Sequence, residues 1–446
     1  MADLITHSLS FTKESLREYF IKPLFVESDI RDLITVRTDL KTGEKLDLIS
    51  ELDKITKGYA KGTSFTASTG VTITQKTVSV VKMKAEVHQN GRAFVNYVKQ
   101  ELLRKGYAEN DISGTVFEEI ILSIFFRALA RDLQRQIFLG DTLKEVIASN
   151  APNGTLDADY KEYNGLWTQL MNAAAAATIP SGQVVDANTS ALQTTVAVAN
   201  VKTATLTGTS GTANVTINGV AYLATFNTDL TTTAADFVSA HAATILARYG
   251  KCVVTSSGAD IIVTAGIPGL NTTVAVANVS GNLAGSVANT TPAVQNTTLK
   301  AGAGKAILTS LYNSMTPELR AQRLSGALAY MVTSSIYDSY MESLEADGTE
   351  QAHMKLIDGV QRLTFRGIPV VERADWDVHI ENDFGGVRPH RAILTIPANL
   401  IAGTDGQADD MDAEMWYDQN TQENKFRVEY YAGTLFLHEK FVSLAY

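Results

Sequence analysis

The chain of 446 residues has a single cysteine, Cys252. An intrachain disulfide is therefore excluded, and so is a zinc site built from paired cysteines. A chain with so little cysteine is typical of a reducing compartment.

Charge is also scarce. Asp and Glu, Lys and Arg together make up 19% of the residues, below the usual quarter. The 48 acids exceed the 38 bases, which gives a net charge of -10, so the whole chain has no basic field that could hold nucleic acid. Hydrophobic residues reach an ordinary 45%, and the length suffices for roughly three domains of about 150 residues each. The composition therefore indicates a folded, multidomain protein.

Long apolar runs are lacking as well. Residues 120–126 form an apolar run of seven between charged neighbours, whereas a membrane-spanning helix needs about 20. The first residues, Met1-Ala2-Asp3-Leu4, lack the basic and apolar regions of a signal peptide. We expect a soluble cytoplasmic product with no membrane partner.

Motifs for nucleotide or metal binding are incomplete. Gly304-Lys305 invites interpretation as a phosphate loop, but Leu299 stands where the first glycine is required and Ala306 replaces the magnesium-binding hydroxyl. The seven histidines never fall three or four residues apart, so no helical metal pair is predicted.

Two acidic segments contain residues that could bind a metal ion. Asp377-Val378-His379 could place two ligands on one face of a strand, but a polar loop edge is the commoner explanation and the one we prefer. The acids of residues 405–414 lack the register of a calcium loop, and we interpret them as a solvated loop. The sequence therefore predicts no enzyme, no cofactor and no metal. An active site assembled from remote residues is the alternative.

The first third of the chain contains an extended pattern. Residues 71–88 alternate apolar and polar side chains over 18 positions, which predicts one very long strand. Residues 32–55, with a turn at 41–44, could supply its partner. We expect a protruding two-stranded ribbon that needs contact with another subunit. A short helix between Thr12 and Pro23 is predicted ahead of it.

A long helix is predicted over Thr115–Leu139. Apolar residues recur at helical spacing from Phe117 to Ile124, and the pattern continues through Leu129, Leu133 and Ile137. No proline interrupts it. About 25 residues at 1.5 Å each give a helix near 38 Å long.

The composition changes sharply between residues 203 and 298, where only five residues of 96 are charged. We predict a strand over 204–209, a hairpin with Asn218-Gly219 at its turn, a helix over about 233–248, and a second hairpin over 252–265. The helix should bury Phe237, Ile245 and Tyr249, with Val238 and Leu246 beside them. This segment is read as a compact β-α-β module.

An identical octapeptide, Thr-Thr-Val-Ala-Val-Ala-Asn-Val, stands at residues 194–201 and 272–279. One interpretation is chance in a Thr/Ala/Val-rich region. The other, which we prefer, is a pair of strands that enter and leave the module side by side.

Ordinary composition returns after Leu299. The patterns predict a helix over 305–315, a strand over 328–332, a helix over 336–344 and a strand-turn-strand over 363–371. Residues 426–446 are predicted to form two strands around Ala432-Gly433.

Charge is distributed unevenly along the chain. Residues 71–106 carry net charge +5, and residues 337–425 carry -11. The two regions could attract each other between neighbouring copies. The basic residues proposed for this inter-subunit contact are Lys76, Lys82, Lys84 and Arg92. The simpler alternative is two solvated surfaces with no partner.

Taken in order, an N-terminal arm, a long ribbon, an uninterrupted helix, a mixed α/β region and terminal strands resemble the major capsid proteins of tailed bacteriophages of the Hong Kong 97 type. The resemblance covers residues 1–195 and 299–446. Its most telling segments are the long helix, Asn164-Gly165-Leu166-Trp167 before a second helix, and residues 363–371. More narrowly, the chain with its Thr/Ala/Val-rich, nearly uncharged segment resembles the capsid proteins of crAss-like phages.

The resemblance implies an α+β fold of six segments. These are an N-terminal arm (1–45), an E-loop (46–90), a peripheral domain with the spine helix (91–195), an inserted domain (196–298), an axial domain (299–425) and C-terminal strands that return to the core (426–446). The arm is too short to contain a scaffolding domain.

The resemblance also implies the function and partners. Copies would form pentamers and hexamers of an icosahedral shell that encloses double-stranded DNA without sequence-specific binding, in a virion assembled in the bacterial cytoplasm. Further partners would be the portal and, through the inserted domain, head decoration or fibre proteins. The alternatives are a phage tail or baseplate protein and an enzyme with no recognisable motif.

Overall fold

The structure is a computed structural model. It describes residues 33–37, 40–49, 73–90, 116–295, 298–349, 354–357, 360–404, 413–418, 420–421 and 423–446. The short helix predicted between Thr12 and Pro23 lies outside these residues. The fold is mixed α+β, and the chain divides into two compact units: Met1–Ile137 with Ala398–Leu437, and Phe138–Pro397 with His438–Tyr446.

The first unit contains a five-stranded sheet, a two-stranded ribbon and most of one long helix. Its elements are β1 (Thr35–Arg37), β2 (Lys45–Ile49), β3 (Ile73–Thr77), β4 (Val81–Asn90), α1 (Val116–Leu139), β20 (Leu400–Gly403), β21 (Ala413–Asp418) and β22 (Glu423–Phe436).

Helix α1 confirms the long helix predicted over Thr115–Leu139. It has 24 residues, and at 1.5 Å per residue it is about 36 Å long. Leu129, Leu133 and Ile137, spaced by four, are all buried as predicted. Leu133 and Ile137 line a small gap with Ala402, so the helix packs on the five-stranded sheet.

The strand predicted over 71–88 is two strands in two sheets. β3 pairs antiparallel with β2, which confirms a two-stranded ribbon. The turn at 41–44 stands before β2, where the N–H of Gly43 donates to the carbonyl oxygen of Val78 and the N–H of Val78 donates to that of Glu44. β4 pairs instead with β22. Between them, Val78 and Val80 turn into a small core with Leu40 and Ile401. The burial of these two valines explains why the strand is interrupted after Thr77, because it turns the backbone away from the ribbon before β4 begins at Val81.

The turn predicted at Ala432-Gly433 is also wrong. β22 runs straight through both residues for 14 positions, and its partner changes from β4 to β20 at Gly433. A Cβ atom on Gly433 would lie 2.2 Å from the carbonyl oxygen of Ser79. Glycine is therefore required by a close approach of backbone rather than by a turn.

The second unit contains the remaining elements. They are β5 (Glu145–Ala148), β6 (Ala151–Leu156), α2 (Leu166–Ala175), β7 (Val184–Val185), β8 (Val201–Thr207), β9 (Gly211–Ile217), β10 (Val220–Thr225), α3 (Leu230–Leu246), β11 (Val253–Ser257), β12 (Asp260–Thr264), β13 (Val274–Gly281), β14 (Ala284–Thr291), α4 (Ala303–Asn313), α5 (Pro317–Ala321), β15 (Ala329–Val332), α6 (Ser334–Asp347), β16 (Met354–Ile357), β17 (Val360–Phe365), β18 (Ile368–Glu372), α7 (Ala374–Asp383), β19 (Ala392–Thr395) and β23 (Val442–Ala445). Four 3-10 turns complete the described chain: Ser181–Gln183, Gln322–Ser325, Pro397–Asn399 and Glu439–Phe441.

A seven-stranded mixed sheet, in the order β16-β17-β18-β15-β19-β23-β7, forms the centre of this unit. Helices α4 and α6 cover it, and their apolar faces join residues of β15, β18 and β19 in one core. The predicted helices and strands between residues 305 and 371 are confirmed, including the strand-turn-strand β17–β18 with Arg366-Gly367 at its turn.

The uncharged segment folds into two small sheets and one helix. A three-stranded sheet (β10-β9-β13) and a four-stranded sheet (β11-β12-β8-β14) share a core with α3. The predicted hairpin at Asn218-Gly219 is confirmed, with φ of 47° and 76° at the two turn residues. Phe237 and Ile245 are buried as predicted, whereas Leu246 is 49% exposed.

The two octapeptide copies do not pair with each other. The second copy contributes most of β13, which pairs with β9. The first copy is largely irregular, and its Val198 bridges to Val294. Entry and exit of the segment do run side by side, but on the exit side the first copy and Gln193 bridge to Val294 and Leu299 rather than to the second copy.

Candidate assembly surface

Lys76 is the first of the four basic residues predicted to contact a neighbour. It lies on β3, and its ammonium donates to the carbonyl oxygen of Phe436 at 3.2 Å. The same nitrogen lies 3.9 Å from the centre of the Phe436 ring. Lys76 therefore already holds the ribbon against β22 within one subunit.

Lys82 and Lys84 lie on one face of β4. With a side-chain period of two, that face also carries Glu86 and His88. The opposite residues on β22 are Tyr431, Glu429, Arg427 and Lys425. We call these eight residues the charged ladder. Buried and partly exposed residues alternate along β22, and the buried ones are mainly apolar. The charged face of the strand therefore points outward.

Ion pairs connect the charged ladder internally. Lys82 lies 2.8 Å from Glu429, and Lys84 lies 2.9 Å from Glu86. The Lys84 hydrogen bond lowers the pKa of the Glu86 carboxyl. Arg427 also pairs with Glu429. The ladder is consequently a mixed-charge surface and not the uniformly basic ribbon that the sequence suggested. Arg92, the fourth predicted residue, lies outside the described residues.

The acidic region predicted as the complement lies partly on α6 and α7. Several of its carboxylates have partners: Asp347 pairs with Lys305 at 2.8 Å, and Asp377 accepts the backbone N–H of Ser334. The acids of residues 405–412 lie outside the described residues.

Three exposed carboxylates of this region meet at one cavity. Asp338, Glu342 and Glu381 line a cavity of about 750 Å³ with the polar side chains of Ser335 and Asn382. No ion pair to these three carboxylates is found in the described part of the chain. We call this the acidic cavity, and it is one place where acids of residues 337–425 lie together without a cation in the described part of the chain.

The weaker sequence motifs have structural explanations. Gly304 begins α4, and a Cβ there would lie 2.5 Å from the carbonyl oxygen of Ile336, so the glycine allows α4 to pack against α6. Asp377-Val378-His379 lies on helix α7 and not on a strand. His379 instead pairs with Asp383, one helical turn away, at 3.0 Å.

The described residues show neither a metal site nor a membrane-spanning helix. Within the described ranges, no group of three His, Cys, Asp or Glu side chains could hold a metal ion. None of the described helices is long and apolar enough to cross a membrane.

Sequence analysis missed the buried charges of the second unit. The Lys144 side chain is fully buried, donates to the carbonyl oxygen of Glu145 at 2.9 Å and pairs with Asp157 at 3.2 Å. Burial lowers the pKa of its ammonium despite that carboxylate. Next to it, Glu145 is buried against Arg248. Nothing in the sequence marks these residues, because their charged neighbourhood has the pattern of a solvated turn.

Arg248 and one hairpin turn connect the uncharged segment to the β5–β6 hairpin. Arg248 donates to Glu145 and also to the carbonyl oxygens of Ile217 and Asn218. A Cβ on Gly219 would lie 1.9 Å from the carbonyl oxygen of Asn153. The turn can therefore approach β6 only because it ends in glycine.

Comparisons with known proteins gave matches among solved structures alone. No family model and no curated protein matches the chain. The procapsid of satellite phage P4, which includes a size determination protein, has 9% identity and a TM-score of 0.43, with 96% of this chain and 98% of that chain covered. The capsid of a native GTA particle has 11% identity and a TM-score of 0.35, covering 100% and 93%. The capsid of cyanophage P-SCSP1u has 10% identity and a TM-score of 0.38, covering 93% and 86%.

Proposed function

We propose that the chain is the major capsid protein of a tailed bacteriophage, with the Hong Kong 97 type of fold, from the crAss-like group. The observation that carries the proposal is the content of the first unit. In the order implied by the sequence resemblance, it holds a two-stranded ribbon (β2–β3), a long strand pair (β4–β22) and the 24-residue helix α1. In this proposal the six segments keep the boundaries given above.

The proposed task is self-assembly. Many copies form pentamers and hexamers, and these close into an icosahedral shell around double-stranded DNA. The shell joins the portal and belongs to the virion, which is assembled in the host cytoplasm. A protein with this task needs no catalytic centre. The net charge of -10 suits a container that must release its genome.

We place one contact between copies at the charged ladder and the acidic cavity. Lys82 and Lys84 are 51% and 63% exposed, so their ammonium groups can reach a second acceptor while paired within the subunit. Asp338, Glu342 and Glu381 are exposed carboxylates with no cation of their own in the described structure. Opposite charges of this kind orient two copies and suppress wrong pairings.

Electron microscopy tests the assembly itself. Negative-stain images of the purified full chain are expected to show shells or rings of five and six subunits. Tubes would favour the tail or baseplate alternative instead. Discrete particles at every concentration and salt condition tested would contradict the proposal.

Charge reversal tests the contact. Replacing Lys76, Lys82 and Lys84 together by Glu should prevent shell formation, because like charges at positions 82 and 84 then face the neighbour. The change at position 76 also removes the contact with Phe436 within the subunit. The control is Lys161→Glu, because Lys161 is an exposed lysine that belongs to neither the charged ladder nor the acidic cavity.

Rescue makes the test specific. Asp338, Glu342 and Glu381 are replaced by Lys in the same chain, and shells should return if the two surfaces meet. Thermal melting of each variant checks that the subunit is folded. Normal shells from the triple Glu variant at moderate salt, or failure of the rescue with folded subunits, would remove this contact from the proposal.

Segment 196–298 is proposed to dock head decoration or fibre proteins. Its surface has few charges: the mostly exposed strands β13 and β14 contain no charged residue. Shells that form without the segment but lose surface fibres would support this role.

A further inference from the structure

A second cavity lies in the second unit, bordered by the end of α1, by α2, by the residues after α3 and by the loop 384–391. Its volume is about 230 Å³. Trp167, Met171, Phe384 and Val387 form its apolar walls. It is separate from the acidic cavity, and its polar lining carries the opposite charge.

Arg391 is the buried cation of this cavity, with a fractional exposure of 4%. Its Nε donates to the carbonyl oxygen of Arg388 at 2.8 Å, and one Nη donates to that of Val387 at 3.4 Å. No carboxylate lies within ion-pair distance of it in the described part of the chain. A buried guanidinium without an anion is costly, and burial lowers the pKa of Arg391 to about 9.

Arg388 is a second cation with no carboxylate within ion-pair distance among the described residues, although Asp186 attracts it from farther away. It is half-buried, donates through Nη1 to the sulfur of Met171 at 3.5 Å and lies 5.0 Å from the ring centre of Tyr446. Its positive charge lowers the pKa of Arg391 further, so the two guanidinium groups are close enough to repel each other. An anion between them would relieve that repulsion.

The other charged lining residues have partners of their own. Arg248 pairs with Glu145 at 2.6 Å, and Lys251 donates to the neutral amide oxygen of Asn172 at 2.9 Å. The carboxylate of Asp141 also lines the cavity; it accepts the N–H of Leu143 at 2.9 Å and is attracted by Lys251 and Lys144. Cations therefore outnumber carboxylates in the lining, and Arg388 and Arg391 are the two for which no side-chain oxygen acceptor is found among the described residues.

One buried hydrogen-bond donor of the lining also lacks a partner. The indole N–H of Trp167 is buried with no acceptor in the structure described. Buried donors without acceptors are rare in folded proteins, and a bound ligand is one explanation for them.

We propose that this cavity binds a small organic anion, a carboxylate carried on a compact apolar body. Two arginines present planar donor forks that match the two oxygens of a carboxylate. The aromatic and thioether walls suit an apolar body, and the volume admits a group the size of a benzene ring beside the carboxylate. This inference does not depend on the proposed capsid function.

Calorimetric titration of the full chain tests the site, with benzoate as the probe. Benzyl alcohol has the same ring without the charge, and inorganic phosphate has the charge without the ring. Benzoate should bind saturably at one site, whereas neither comparison compound should bind as tightly. Arg388→Gln should weaken benzoate about ten- to a hundred-fold, since it removes a hydrogen bond between charged groups.

Arg323→Gln is the control variant, because this exposed arginine donates to the hydroxyl of Tyr312, outside the cavity lining. It should leave benzoate affinity unchanged. Arg388 is half-buried, so its replacement preserves the fold better than replacement of Arg391. Unchanged affinity in Arg388→Gln, no benzoate binding to the wild-type chain, or equal binding of phosphate or benzyl alcohol would overturn the proposal.

Discussion

Arg248 and Glu145 form a two-point ion pair between segment 196–298 and the β5–β6 hairpin. The Nη2 and Nε atoms of Arg248 lie 2.6 Å and 3.0 Å from the same carboxylate oxygen. The second oxygen of Glu145 accepts the backbone N–H of Gly154 at 3.0 Å. Both oxygens of the carboxylate thus accept hydrogen bonds although its side chain is only 4% exposed, and this buried charge holds the segment to the β5–β6 hairpin.

Breaking this pair from one side should be strongly destabilising. Arg248→Met leaves the Glu145 carboxylate buried without a cation, which costs about 3 kcal/mol of unfolding free energy. The double variant Arg248→Met/Glu145→Gln should recover part of that loss. Urea unfolding of the wild type, of both single variants and of the double variant measures the four free energies of this double-mutant cycle.

A solvated ion pair provides the control. Lys305 and Asp347 are each about half-exposed, at 48% and 53%, so Lys305→Met should cost less than about 1 kcal/mol. Equal losses for Arg248→Met and Lys305→Met would show that the buried position of Glu145 has no energetic consequence.

Segment 196–298 should fold by itself, since its two sheets and α3 share a closed core. Expressed alone, it is expected to unfold cooperatively. Cys252 reports on this directly, because the thiol is buried and burial raises its pKa. Iodoacetamide should label it only after unfolding. Labelling at the rate of a free thiol in native buffer would contradict an autonomous fold.

The remainder should fold when Thr195 is joined to Thr298 through a short Gly/Ser linker. Removal of Arg248 with the segment leaves Glu145 unpaired, so Glu145→Gln should raise the melting temperature of the shortened chain. The same substitution should lower it in the full chain. A shortened chain that collapses with either residue at position 145 would show that the segment is integral to the unit.

The buried face of α1 should not tolerate charge. Leu133→Asp places a carboxylate at a position with 2% exposure, and we expect a loss of several kcal/mol. Ala128→Asp, on the exposed side of the same helix, should change stability by less than about 1 kcal/mol. The sequence pattern predicts the same loss for Ile121→Asp and Ile124→Asp, whose side chains lie outside those described. Soluble, fully assembling Leu133→Asp protein would show that the buried face is assigned incorrectly.

Lys144 should make stability depend on alkaline pH. Burial lowers the pKa of its ammonium below the value near 10.5 of the unfolded chain. Between the two pKa values the unfolded state binds more protons, so the unfolding free energy rises with pH. Relative to Lys144→Met, the wild-type chain should gain stability from about pH 8 toward pH 10. Urea titrations at both pH values measure this, with exposed Lys161→Met as control. A constant difference between wild type and Lys144→Met would mean that the folded state accepts the charge without cost.

Elements set by local chemistry were predictable. Apolar residues at helical spacing, such as Leu129, Leu133 and Ile137, predicted α1. The helix begins one residue after its predicted start. Asn218-Gly219 identified a hairpin because both residues accept positive φ at little cost. In each case the signal lies within a few neighbouring residues, so the sequence is sufficient.

Residues whose state depends on distant partners were not predictable. One octapeptide forms most of β13 at residues 272–279 and an irregular segment at 194–201, although the two copies are identical. Val78 and Val80 interrupt a strand-like pattern because a core formed with Ile401 buries them. Gly433 resembles a turn residue but serves a close approach to Ser79.

The charged residues most clearly separate what the sequence determines from what depends on distant partners. The sequence by itself determined how many charges the chain has and in which regions they concentrate. Only the tertiary structure decided that Glu145 and Arg391 are buried and that Lys82 pairs with Glu429 within the subunit. It also decided that Glu381 is exposed and has no cation within ion-pair distance among the described residues. The reason is physical: the free energy of a charge depends on the water and counter-charges around it, and those are supplied by residues far away in the chain.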